Sequence, residues 1–226
     1  MWQALHRELE QEPFTPLAVA LDTGGAEATA EWIRRAEPTY PCLIDERHIV
    51  AELYGMVNVP SAVWIDEHGA VVRPTETAGA SEAWRTEVDP ETRKLTEAGR
   101  AELRRTRAAY LEAIRAWVLE GKHELHLPLP DAGQSLAAAH FRLAVHLHER
   151  GLNAHRHFAE AVRLRPRSWN YRRQAIALER PTDAAEQFQA AVEATPPGEY
   201  YPPPPGLPLC MSSSSEGPCS DEAAVL

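Results

Sequence analysis

The stretch Asn58–Val72, NVPSAVWIDEHGAVV, limits the fold more than any other part of the chain. A Pro follows a β-branched residue, an apolar run leads to Ile65-Asp66, and Glu67-His68-Gly69 opens a second apolar run. Apolar runs joined by a short Gly-containing turn predict a hairpin of SAVWID with AVVR. Upstream, Trp2, Leu5 and Leu9 fall at helical spacing and give way to Pro13 and Pro16. PLAVALD (16–22) runs into Thr23-Gly24-Gly25 and reads as a buried strand and turn. Residues 26–38 read as a helix with Trp32 and Ile33 inward, and PCLIDE (41–46) as a short strand. RHIVAELYG (47–55) reads as a helix with Ile49, Val50 and Leu53 apolar and Gly55 at its end. Helix, strand, helix, strand, helix, hairpin is the order of an α/β domain with helices on both sheet faces.

A second region opens near Ala80. Asp89-Pro90-Glu91 combines an N-cap residue, a Pro and an acidic first turn, predicting a helix to about Leu119, ended by Gly121. Its apolar stripe is Leu103, Tyr110, Leu111, Ile114, Trp117 and Val118. Residues 125–134, LHLPLPDAGQ, read as a linker. Ala154, Phe158, Ala161 and Pro166 then stand in an order that Ala184, Phe188, Ala191 and Pro196 repeat thirty residues later. With helices over 135–150 and 168–180 before them, these resemble the second halves of tetratricopeptide units, where Ala lets paired helices approach and Phe fills between them. The Trp-Leu-Gly-Tyr half of that pattern is absent. From Pro196 onward the chain holds eight of its 19 prolines and a four-serine run, the composition of a disordered tail over 197–226.

The formal charge is −10 over 226 residues, which argues against nucleic acid as a partner, because backbone binding needs a basic surface. No stretch approaches the ~20 apolar residues that span a bilayer, and the first residues carry no signal-peptide apolar run. The chain reads as cytoplasmic, with no membrane partner. Cys42, Cys210 and Cys219 make neither a disulfide framework nor a C-x-x-C motif.

Residues 2–76 resemble the thioredoxin-like superfamily, in its redoxin and ResA-like branch. The resemblance rests on LAVALD, on YPCLIDERHIVAELYGMVNVPSAVWIDEHGAVV, and within it on Val59-Pro60. It implies a cis Pro60 beside an active dithiol, with the preceding backbone free to pair with a substrate. In that family a first strand delivers a cysteine motif to a helix N-terminus, where the helix field lowers the thiol pKa. Here the sequence begins inside what would be that helix. The expectation is an α/β thioredoxin-like domain truncated at its N-terminus, with Met1 an internal methionine and the strand and thiol, or selenol, encoded upstream. The full reading is a truncated thioredoxin-like domain over 1–79, connecting helices over 80–124, the linker, an all-α tetratricopeptide-like domain over 135–196, and the tail.

Only Val59 and Pro60 are carried over as substrate-groove residues. No catalytic residue is assigned. Cys42 is the one candidate thiol in the α/β region, and its neighbours Pro41 and Leu43-Ile44 favour a buried, inert position. His146/His148 and His155/His157 are i, i+2 pairs that point apart on a helix, so no metal site is expected, and no cofactor motif is present. Arg165, Arg167, Trp169 and Arg172 lie in RLRPRSWNYRR, a basic patch that could receive a peptide; dipole complementation by Arg near a helix end is the favoured alternative. The expected function is a redoxin-family thiol–disulfide oxidoreductase or peroxidase, acting on a protein disulfide or peroxide, whose active thiol lies outside these residues. The alternative is a non-catalytic module that binds a partner peptide through the tetratricopeptide-like helices.

Overall fold

The computed structural model describes residues 1–123 and 132–202 of the chain. It is a mixed α/β protein. Helix α1 (Trp2–Glu8) is followed by β1 (Ala18–Ala20), α2 (Gly25–Ala36) and β2 (Cys42–Ile44). β1 and β2 run parallel, with Ala18, Val19 and Ala20 opposite Cys42, Leu43 and Ile44. Parallel strands need a crossover, and α2 supplies it. α3 (Ile49–Leu53) leads to β3 (Ser61–Ile65) and β4 (Val71–Thr77), an antiparallel pair with irregular register around Trp64. The two pairs are separate two-stranded sheets.

The β3–β4 turn follows from its residues. Asp66 Oδ1 accepts hydrogen bonds from the backbone N–H of His68 and Ala70, and Gly69 takes φ +79, which a side chain would oppose. Gly25, which opens α2, is equally constrained: φ is +60, and a Cβ there would lie 2.3 Å from Glu46 Oε1.

Three expectations fail locally. The strand in PLAVALD, Ala18–Ala20, is half-buried rather than buried, and Leu17 beside it is 58% exposed. Trp32 is 68% exposed rather than inward, because α2 turns Gly25, Thr29 and Ile33 toward the protein; the Arg35 guanidinium lies 5.2 Å over the Trp32 ring. The long helix α5 spans Glu97–Glu120 and does not start at Asp89. Asp89 Oδ1 instead closes a turn, accepting from the N–H groups of Glu91 and Thr92, and Arg93 takes φ +55, which interrupts any helix. The cap is Thr96, whose Oγ1 accepts from Gly99 N at 3.0 Å. Gly121 closes the helix in the left-handed conformation, as its sequence position implies.

Between the hairpin and α5 lies the short helix α4 (Ala83–Thr86). After residue 131 come α6 (Ala132–Glu149), α7 (His155–Leu164), α8 (Trp169–Glu179) and α9 (Ala184–Glu193). The first residues of α6 thus fall within the stretch read as a linker, while 124–131 lie outside the described residues. No helix among the described residues is long and apolar enough to cross a membrane.

Burial is unevenly shared. One cluster joins α1, the hairpin and α5 through Leu5, Leu9, Trp64, Val72, Tyr110 and Ile114. A second joins α6, α7 and α8 through Phe141, Ala144, Phe158, Ala161 and Tyr171. A third gathers Trp169, Val192 and Tyr200, with Trp84 and Phe188 against it. None of the three draws a residue from β1, α2 or β2; Leu17 and Leu43 there are 58% and 51% exposed. That layer is tied down by polar contacts instead: Thr23 Oγ1 donates to Gln174 Oε1 on α8 at 2.7 Å.

In the first cluster the Trp64 indole N–H donates to the Tyr110 hydroxyl at 3.0 Å, and Tyr110 is fully buried. Tyr110→Phe removes this acceptor and strands a buried donor. It is expected to cost about 1–3 kcal/mol, read as a lower urea midpoint with an unchanged slope.

Candidate functional site

The strip around Val59-Pro60 is built by the chain's exit from α3. Gly55 at φ +65 turns the backbone, and Met56 and Val57 are pinned by α8: Asn170 N donates to Val57 O at 3.2 Å and Asn170 Nδ2 to Met56 O at 3.1 Å. Arg165 Nη2 holds the carbonyl of Gly55 at 2.9 Å. Asn58 is therefore delivered buried, its Oδ1 accepting from Val59 N at 2.9 Å. The Val59-Pro60 peptide is cis, and the Pro60 carbonyl accepts from Ala78 N at 3.0 Å, which continues the hairpin ladder.

The Tyr200–Pro202 segment of the chain lies on this strip, bent at Tyr200 and Tyr201. Asn58 Nδ2 donates to the Tyr200 carbonyl at 2.7 Å, and the Tyr201 hydroxyl donates to the Val59 carbonyl at 2.8 Å. Thr77 Oγ1 donates to the Pro202 carbonyl at 3.2 Å. Glu82 Oε1 accepts both backbone N–H groups, from Tyr200 at 2.8 Å and Tyr201 at 3.0 Å. Its other oxygen accepts from Arg85 at 3.3 Å, which fixes the carboxylate. The Tyr200 ring enters an aromatic pocket, with ring centres at 4.6 Å from Trp169, 5.3 Å from Trp84 and 6.5 Å from Phe188. Burial pushes the hydroxyl pKa values of Tyr200 and Tyr201 up, so both stay neutral donors.

The tail composition expected over 197–226 does not hold at Tyr200, which is only 5% exposed. Proline-rich composition masked two adjacent aromatic rings, and those rings supply the buried surface that composition alone denies. The rest of the tail, with Cys210 and Cys219, lies outside the described residues.

Beside the strip is a cavity of about 290 Å³ lined by Met1, Trp2, Pro60, Ala78, Gly79, Ala80 and Arg107. Pro60 belongs to both. Arg107 is exposed and has no hydrogen bond or ion pair among the described residues.

The other sequence candidates sit elsewhere. Cys42 is partly exposed on β2, its thiol 3.8 Å from the Tyr40 carbonyl; it belongs neither to the strip nor to the cavity lining. Of the basic patch, Arg165 is buried on the Gly55 carbonyl, Trp169 is buried under Tyr200, and Arg172 lies 4.7 Å over Trp169. Arg167 is exposed. His155 Nδ1 lies 3.0 Å from Glu179 Oε1, whereas His157 meets His140 of α6, Nδ1 to Nδ1 at 2.9 Å. A direct imidazole–imidazole hydrogen bond needs one neutral ring as acceptor. Among the described residues no three His, Cys, Asp or Glu side chains converge as metal ligands.

The sequence did not single out Asn58, Thr77, Glu82, Tyr200 or Tyr201. The one signal was the Tyr-Tyr pair in an otherwise Pro-rich run. No family model, curated protein or solved structure matches this chain.

His48 connects the strip's layer to α6. It is 2% exposed at φ +57, its ring lies 5.1 Å from Phe141, and neither nitrogen has a hydrogen-bond partner among the described residues. Burial lowers its pKa, opposed by Asp45 and Asp22. The folded state then binds fewer protons than the unfolded one. His48 therefore contributes stability above its unfolded pKa of about 6.5, which is lost as pH falls through the folded value. His48→Asn, which keeps a side chain tolerant of positive φ, is expected to shrink the drop in Tm between about pH 7.5 and pH 5, by calorimetry across that range.

Proposed function

We propose that the chain is a binding module for short tyrosine- and proline-containing protein segments, built on a thioredoxin-like framework of the redoxin and ResA-like kind joined to tetratricopeptide-like helical hairpins. The observation that carries this is the convergence of Asn58, the Val59 carbonyl, Thr77 and Glu82 on the Tyr200–Pro202 segment. Four of those five bonds go to main-chain groups of the segment, so the strip recognises a bent backbone conformation as much as a sequence.

The framework reading draws support from the parallel β1–α2–β2 unit, the antiparallel β3–β4 hairpin and the place of Val59-Pro60 at the hairpin's mouth. The helical reading draws support from Ala154, Phe158 and Ala161, buried where α7 packs between α6 and α8. A redox activity is the second reading, favoured by Pro60 lining both strip and cavity wall. In it a protein disulfide or peroxide would meet a thiolate supplied by residues other than Cys42.

A photo-reactive peptide copying GEYYPPP is expected to crosslink to the strip in the full chain, and to lose most of that labelling in Asn58→Ala and Glu82→Ala. Labelling unchanged by both substitutions would overturn the reading. Insulin-disulfide reduction and peroxide consumption are expected at background. Turnover that disappears in Cys42→Ser would instead make Cys42 the working thiol.

A further inference from the structure

Resting on the binding-strip reading, we propose that Tyr200–Pro202 is an exchangeable occupant of the strip, which in its working state takes a similarly bent tyrosine- and proline-containing segment of a partner protein. The contacts that hold Tyr200 and Tyr201 are largely main-chain ones, and any segment of similar backbone can make them. Glu82 receives two successive N–H groups and Asn58 reaches the carbonyl between them. Only two features read side chains. The aromatic pocket of Trp84, Trp169 and Phe188 takes one ring, and the Val59 carbonyl takes one hydroxyl.

The chain's own segment does not satisfy the seat completely. The Trp84 indole N–H is buried in the wall of the Tyr200 pocket and donates to nothing among the described residues. A buried donor without an acceptor favours any occupant that brings one. A partner segment carrying an acceptor beside its pocketed ring thus gains an interaction that Tyr200 does not make. The resident segment is also tethered, so it competes at a high effective concentration; a partner binds weakly until the tether is displaced. That is an autoinhibitory contact, set by Tyr200 and Tyr201 and released by competition.

Fluorescence anisotropy with a labelled GEYYPPP peptide, on the full chain, tests this. Wild type is expected to bind weakly, Tyr201→Phe about threefold more tightly, and Tyr200→Ala at least tenfold more tightly. In parallel, backbone hydrogen exchange over 197–202 in the wild-type chain is expected to accelerate on saturation with the same peptide, because the Tyr200 and Tyr201 N–H groups lose Glu82. The exchange measurement and Tyr201→Phe decide the matter if Tyr200→Ala does not fold. Peptide bound to the strip with exchange over 197–202 unchanged, and no gain in either variant, would overturn the exchangeable occupant and leave the strip standing. No binding to wild type or to a folded variant would remove the strip reading itself. A wild-type dimer that becomes monomeric in Tyr200→Ala would assign the seat to a second copy of the chain and overturn the partner segment.

Discussion

The hairpin depends on one buried ion pair and the rings around it. Arg73 Nε lies 2.7 Å from Glu76 Oε1, and both side chains are almost wholly buried. Removing two charges from water is costly, so such a pair persists only where its surroundings complete it. Here the guanidinium lies 4.8 Å over Trp64, Trp64 stacks on Trp117 at 5.0 Å, and its N–H is satisfied by Tyr110. Burial pushes the Glu76 pKa up while Arg73 pulls it down. A two-stranded hairpin is marginal alone; this one takes its second layer from α5. Thr77 and Ala78 follow directly, so the strip's position on β4 is inherited from that pair.

The two small sheets have different foundations. The β3–β4 pair is anchored by aromatic packing, whereas the β1–β2 pair is held by caps and polar bridges. Asp45 accepts from Ile49 and Val50 at the start of α3, and Thr23 reaches Gln174. With Leu17, Trp32 and Leu43 exposed, the β1–α2–β2 layer has little apolar burial to resist local opening.

The hairpin was legible because two apolar runs and the Asp-Glu-His-Gly turn act over a dozen adjacent residues, and α7 and α9 as helices because Ala and Phe recur there at helical spacing. Gly121 was legible as a stop because a left-handed terminus favours glycine. Asp89-Pro90 misled because an Asp caps a turn as readily as a helix; the cap that won, Thr96, is ordinary in sequence. The candidate site was legible only at Val59-Pro60. Asn58, Thr77, Glu82 and Tyr200 lie up to 142 residues apart, and no local pattern encodes that they meet. The same holds for His140 with His157, which share a contact only after α6 and α7 pair.

The bridges from α8 to the loop after α3 have a further consequence. Asn170 on Met56 and Val57, Arg165 on Gly55, Thr23 on Gln174, Phe141 on His48 and Trp84 on Tyr200 join residues 1–123 to residues 132–202. The peptide link between the two parts raises their mutual concentration but supplies none of these contacts. Covalent continuity thus favours the joined state at that seam thermodynamically, and the strip, with Asn58 on one side and Tyr200 on the other, exists only where the two sides meet.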